Sequence, residues 1–313
     1  MIDGIKIALP EKYQDRFLLN PELKHKSLID TETGELIYEF EPYYGMNISF
    51  AKRCVLIKGS LHKCFNISEG NGDQNYDDFN YEELDYVIDF LSHNLRFSPH
   101  EAVIQTLEFG VNIRLSKVPS DFLEKDLVLM KERKPVSTAK LDNKGYYTEF
   151  AFNQYVIKIY DKGRQYKRQQ NILRVELKAT RSQLILLQMQ QKLASTFQKN
   201  RKLLLGDLRD KYVLRVLGIM LKDRLNWMLI VDDFDIKSVA NKRDKTFLLE
   251  GTNPNYWIKL KSKVKPDAFR GRRRMFKALL EEYGLNSLHK EIVVKVVDKW
   301  DELATAGSTV FTL

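Results

Sequence analysis

An α+β chain is predicted, with an antiparallel sheet carrying helices on one face and a smaller, basic helical part after it. Three observations lead there. Short β-branched and aromatic segments fill the first two-thirds, three of them with clean apolar/polar alternation. A helix-period segment interrupts them at residues 78–95, and basic charge with helical periodicity gathers beyond residue 200.

Taken in order, residues 5–9, 35–40 and 48–58 read as strands, and residues 78–95 as a helix with Leu84, Val87, Ile88 and Leu91 on one side. Residues 70–80, rich in Gly, Asn and Asp, and the charged, Pro-containing residues 131–145 read as loops. The three alternating strands follow from the rule that successive strand residues point to opposite faces. Leu107, Phe109, Val111 and Ile113 oppose Glu108, Gly110, Asn112 and Arg114. Ile157 and Ile159 oppose Lys158 and Tyr160, and Leu173, Val175 and Leu177 oppose Arg174, Glu176 and Lys178. If these strands share a sheet whose apolar side rests on helices, its other side displays two carboxylates, basic groups and a tyrosine.

Residues 181–210 have the Leu, Gln and Lys content of a long connecting helix, which puts a boundary between residues 1–205 and residues 206–313. A helix is expected at residues 272–283, stopped by Gly284. Another runs from Ser287, with Leu288, Ile292, Val296, Trp300 and Leu303 as its apolar stripe.

With 43% hydrophobic and 30% charged residues in 313, the composition is that of a folded globular chain. Two cysteines, Cys54 and Cys64, form neither a disulfide framework nor a zinc pair, which suits a reducing cytoplasm. The first ten residues lack the apolar core of a signal peptide, and no run approaches the length of a membrane span. Net charge is +9 and lies mostly towards the carboxy end: from Arg201 onward there are 23 Lys or Arg against 15 Asp or Glu.

Three constellations bear on chemistry. Glu108 and Glu176 are mid-strand acids that suit a hard divalent cation, Mg²⁺ or Mn²⁺, such as offsets charge on a scissile phosphate. They are equally suited to solvated positions or to pairing with Arg114 and Arg174. Tyr160 has Lys158, Lys162 and Arg164 around it, the positive charge a tyrosine nucleophile requires, yet it is one of 15 tyrosines. Finally, residues 259–277 carry Lys259, Lys261, Lys263, Lys265, Arg270, Arg272, Arg273, Arg274 and Lys277 against Asp267, a density suited to phosphate contacts or to a solvated helix edge. The five histidines never fall two residues apart, and no Walker loop, nucleophile elbow or dinucleotide fingerprint is present.

Several segments together resemble the gene II replication initiators of filamentous bacteriophages and, more distantly, the initiators of some rolling-circle plasmids. They are Met1-Ile-Asp3, Val55-Leu-Ile-Lys-Gly-Ser-Leu-His-Lys63, the strand around Glu108, Val156-Ile-Lys-Ile-Tyr-Asp-Lys162, Leu173-Arg-Val-Glu-Leu-Lys178, and Arg273-Arg-Met-Phe-Lys-Ala-Leu-Leu-Glu-Glu-Tyr-Gly284 with Trp300. Their order and spacing span almost the whole chain. The resemblance implies a nicking-initiator fold of the branch without the His-hydrophobe-His pair. It also implies an endonuclease that forms a 5′-phosphotyrosine and a 3′-OH primer and can rejoin strands.

On that resemblance Tyr160 is the nucleophile, with Tyr147 its competitor, and Glu108 and Glu176 are the metal ligands. The family more often has aspartate at the first of these. Lys162, Lys158 and Lys63 attend the phosphate, with Asp3 at a further family position, and Arg270, Arg272, Arg273, Arg274 and Lys277 bind DNA. The implied partners are origin DNA, duplex and single-stranded, and a host polymerase and helicase in a bacterial cytoplasm. A homodimer on DNA is compatible, and no membrane is involved. The alternative from another class is a non-enzymatic origin-binding protein that recruits host replication factors. A tyrosine recombinase lacks its Arg, His-x-x-Arg and carboxy-terminal Tyr set here.

Overall fold

A computed structural model describes residues 1–29, 34, 36–138, 147–168, 170–192 and 201–306. The first half runs β1 (Ile2–Pro10), α1 (Gln14–Leu18), β2 (His25–Ile29), β3 (Leu36–Phe40), β4 (Asn47–Ala51), β5 (Cys54–Ser60), α2 (Leu61–Ser68), α3 (Tyr81–Asn94) and β6 (Val103–Arg114). Next come α4 (Pro119–Asp121), β7 (Leu127–Met130), β8 (Val136–Thr138), β9 (Tyr147–Ala151), β10 (Tyr155–Asp161), α5 (Lys162–Gln165), β11 (Ile172–Ala179) and α6 (Gln183–Lys192). The chain ends with α7 (Lys211–Asn226), β12 (Met228–Ile230), α8 (Lys242–Gly251), α9 (Pro254–Lys263), α10 (Pro266–Glu282) and α11 (Ser287–Thr305).

The fold is α+β. Eight strands make one sheet in the order β4-β5-β1-β6-β11-β10-β9-β8, and every pairing in it is antiparallel. The three strands chosen for their alternation are neighbours: β6 pairs with β11, and β11 with β10. Their apolar residues are all buried on one face. There α11 lies against β6, and Trp300 meets Phe109 edge-on with ring centroids 5.9 Å apart.

α11 in turn packs on α7 at close range. A Cβ on Gly218 would stand 2.5 Å from the Trp300 ring, so only glycine lets the indole lie there, and its Nε1 donates to Leu214 O at 3.0 Å. The predicted stripe of α11 is buried at every position named. α3 starts with a capping box in which Asn80 and Glu83 satisfy each other's backbone N–H groups. Asp210, Asn241 and Asn253 likewise cap α7, α8 and α9.

A second apolar cluster draws on distant parts of the chain. Val128 and Leu129 of β7 pair with β12 and join Phe247, Leu248, Trp257, Phe269, Phe276, Leu279 and Leu280 of α8, α9 and α10. Both clusters draw on residues before and after residue 205. α7 and α11 belong to the sheet's core, and β7 and β12 contribute to both clusters.

Other elements differ from expectation in instructive ways. Residues 48–58 form a hairpin, β4 and β5, because a turn at Lys52 and Arg53 reverses the chain. The connecting helix is described over Gln183–Lys192, and residues 205–209 form a 3-10 turn in which Asp207 accepts from Leu204 N; residues 193–200 lie outside the description. Within the predicted loop at 131–145, β8 adds an edge strand to β9. Gly284 stops α10 in the left-handed conformation, with φ of 68°.

Trp300→Ala should cost about 3–5 kcal/mol, because it opens a cavity between β6, α7 and α11 and leaves Leu214 O without its donor. Urea unfolding monitored by circular dichroism would measure it, and a loss below about 1 kcal/mol would contradict this packing.

Candidate nucleic-acid cleavage site

The polar face of the central strands gathers the predicted residues. Register sets Tyr160 opposite Arg174 on β11 and opposite Tyr147 on β9, and sets Lys158 opposite Glu176 and Glu149. Glu176 faces Gly110, while Glu108 faces Lys178, so the two acids are diagonal neighbours across β6 and β11.

A bulge brings a third acid. Ile2 pairs with Phe109 and Ile5 with Leu107, so Asp3 and Gly4 together oppose the single residue Glu108. The extra residue lets Asp3 enter the polar network while Ile2 and Ile5 both remain in the core. Asp3 accepts from Ser60 Oγ, from Asn75 Nδ2 at 2.8 Å and from Arg174 at 3.1 Å.

Arg174 is the hub. Only 2% exposed, it reaches Asp3, Glu176 at 3.4 Å and Asn112 Oδ1 at 3.3 Å. Lys158 Nζ lies between the two glutamates, 2.9 Å from Glu108 and 3.1 Å from Glu176, and Lys178 reaches Glu108 at 2.5 Å. The expected Arg174 pairing of Glu176 is present; Glu108 is paired by Lys158 and Lys178.

Lys162 owes its place to a sharp turn after β10. Asp161 caps α5 by accepting from Arg164 N, and a Cβ on Gly163 would lie 2.0 Å from Gln170 O, so the close return of the chain requires glycine. The Lys162 ammonium is buried, donates to Asn75 Oδ1 at 2.8 Å, and lies 5.4 Å and 4.9 Å from the ring centroids of Tyr160 and Tyr166. Tyr166 OH donates to the same Asn75 oxygen. Lys63, in the first turn of α2, pairs with Asp73 at 2.9 Å.

Burial and charge set the protonation states. Burial drives the Lys162 amine down to about 7, assisted by the Arg174 charge. Burial, then the Glu176 charge, pushes the Tyr160 hydroxyl well above the usual phenol range, and Arg174 opposes them. Tyr147 is raised by burial and by donating to Glu149 at 2.7 Å. Burial raises Glu176, whereas at Glu108 burial is the largest single effect but Lys158 and Lys178 together outweigh it and the pKa falls. Tyr160 and Tyr147 are near each other, with centroids 6.0 Å apart. Tyr160 has the guanidinium opposite it, while Tyr147 has Glu149 as its partner.

Among the described residues, no group of three or more His, Cys, Asp or Glu side chains is placed to hold a metal. Mg²⁺ commonly binds through one or two carboxylates, with water and substrate phosphate completing its shell. The point on which Glu108 and Glu176 converge, now held by the Lys158 ammonium, fits that requirement.

The basic segment lies apart from this face, and its members divide. Arg272 lies 3.8 Å above the Phe247 ring and donates to Tyr256 OH. Arg273 and Lys277 donate to the last carbonyls of α7, at Trp227 and Asn226. Arg274 and Arg270 are exposed, the latter beside Asp267, as are Lys259, Lys261, Lys263 and Lys265.

Sequence reasoning missed Ser60, Asn75 and Tyr166, which come from loops and helix starts with no periodic signal. Arg174 and Lys178 carried a signal, since alternation put them on the face with Glu176. No protein-family model and no curated protein matches the chain. Among solved structures, a rolling circle replication initiator protein from Geobacillus stearothermophilus superposes with a TM-score of 0.40 at 12% identity, covering 81% of this chain and 96% of that one. A likeness of that degree says nothing about chemistry.

Lys162 has a consequence for stability. Its pKa in the fold, about 7, is below its free value of 10.5, so the unfolded chain binds more protons between those values and stability rises with pH across them. The cost of burying the amine is full below about pH 7 and gone above about pH 10.5. Melting temperatures of Lys162→Met should rise less from about pH 7 to 9 than those of the wild type. Equal rises would mean that the amine stays charged in the fold.

Proposed function

We propose that the chain initiates rolling-circle replication by nicking one DNA strand at an origin with Tyr160. Supporting this reading above all is the single contiguous sheet face on which Tyr160 has Arg174 opposite it and Glu176, Glu108 and Lys158 beside it. The order of segments shared with filamentous-phage initiators agrees.

In this reading, a single-stranded segment lies over the polar face of β6, β11 and β10. The Tyr160 oxygen attacks phosphorus, the phenol gives up its proton, and the bond from phosphorus to the 3′ oxygen breaks. That oxygen takes a proton and leaves as a 3′-OH for a host polymerase, while the 5′ phosphate stays on Tyr160. Because burial raises the cost of the phenolate, Arg174 and Lys162 supply the positive charge that stabilises it and the crowded phosphate. Glu108 and Glu176 would hold Mg²⁺ or Mn²⁺, which supplies Lewis-acid polarisation of the phosphate. Reversal of the attack rejoins strands. Tyr147, tied to Glu149, is the secondary tyrosine.

Duplex DNA is gripped by the exposed part of the basic segment, Arg270 and Arg274 with the lysines of α9. Arg272, Arg273 and Lys277 act there through the fold, by holding α8, α9 and α10 together and onto α7. Among the described residues no helix is long and apolar enough to cross a membrane.

A second reading, an origin-binding protein without nuclease activity, is favoured by the complete ion pairing of the acids. Supercoiled origin DNA with Mg²⁺ distinguishes the two. Wild type should yield open circles with protein covalently on the 5′ end. Tyr160→Phe should abolish the adduct, and Tyr147→Phe should retain most of it. Loss of the adduct in Tyr147→Phe alone would reverse the two roles, and the absence of any nick would leave the second reading.

Binding to duplex DNA should obey the charge partition. The double variant Arg270→Ala, Arg274→Ala should lower the slope of log K against log[salt] by about 2, one for each lost phosphate contact. Fluorescence anisotropy over a salt series would measure it, and an unchanged slope would remove α10 from the interface.

A further inference from the structure

Every oxygen of the Glu108 and Glu176 carboxylates meets a cation supplied by the chain itself. Lys178 takes Glu108 Oε1, Arg174 takes Glu176 Oε2, and Lys158 bridges the remaining two, Glu108 Oε2 and Glu176 Oε1. The three cations differ in how firmly they are held. Arg174 is buried and also bound to Asp3 and Asn112, so it cannot leave without stranding both. Lys178 holds the outer oxygen of one acid only. Lys158 stands at the convergence point, on a flexible four-carbon stem from the adjacent strand, with its side chain 21% exposed.

A hard divalent ion shared by these acids needs the same two oxygens that Lys158 occupies. Ammonium and ion cannot both have them. With Asp3, three carboxylates already face three positive charges, so adding two more without removing one is unfavourable.

We infer that Lys158 is a displaceable resident cation: its ammonium closes the Glu108–Glu176 pair, and a divalent ion binds there by displacing it. The released ammonium finds an alternative partner in a DNA phosphate, so ion uptake and substrate binding favour each other. This inference rests on the nicking reading for the identity of that phosphate and shares with it the assignment of a divalent ion to Glu108 and Glu176.

Competition is measured without DNA and without turnover. Mn²⁺ is titrated into the full chain and followed by electron paramagnetic resonance, for wild type, Lys158→Met and Lys158→Gln, each first checked for a cooperative melt. Both variants remove the charge, and Lys158→Gln keeps polarity should the methionine variant fail to fold. Removing a like charge a few ångström away should tighten Mn²⁺ binding about tenfold or more. Adding Glu176→Gln in the same background should reverse the gain. Equal affinity in wild type and variants, no binding in any of them, or a gain that survives Glu176→Gln would overturn the inference. Equal affinity in wild type and variants sinks this inference and leaves the nicking reading intact, whereas no binding in any of them removes the metal from both; a failed nicking assay leaves the Mn²⁺ result intact.

Discussion

The guanidinium of Arg174 is the group on which the polar face depends. It is buried in the middle of an eight-stranded sheet and joins three strands and a loop: Asp3 of β1, Asn112 of β6, Glu176 on its own strand, and through Asp3 the Asn75 side chain. A buried ion pair adds little net stability, since desolvation offsets its attraction, but loss of one partner strands the other and costs about 3–5 kcal/mol. The network therefore fixes geometry more than it adds stability. Its rigidity is what holds a tyrosine, two glutamates and two lysines at defined separations.

That arrangement also stores electrostatic tension. Burial is the chief cause that raises the Tyr160 hydroxyl and lowers the Lys162 amine to about 7. Groups perturbed in this way occur both at sites of chemistry and in structural ion networks. Here some charges are settled, around Glu108, and others are not, around Lys162.

Charge in the basic segment is divided in a comparable way. Arg273 and Lys277 satisfy carbonyls at the end of α7, where the helix dipole favours a cation, and Arg272 covers an aromatic ring. These side chains hold α8, α9 and α10 together and against the sheet's own helices. Arg270, Arg274 and the lysines of α9 remain at the surface. A tally of charge along the sequence cannot separate the two groups, because neighbours such as Arg273 and Arg274 point to different surroundings on one helix.

Alternation in β6, β10 and β11, the stripe of α11 and the stop at Gly284 were legible in the sequence, because each is a local period or a local backbone requirement. Alternation also put Tyr160, Glu108 and Glu176 on polar strand faces. It could not say that the three strands are neighbours in the order β6-β11-β10, nor that a bulge adds Asp3, nor that Asn75 reaches in from a loop. Those depend on register and on contacts between residues far apart in the chain, which no local pattern records. The sequence by itself determined which side chains stand on the polar faces of the strands. Tertiary structure alone decided their partners, and with them their protonation, because burial and pairing are properties of the assembled sheet.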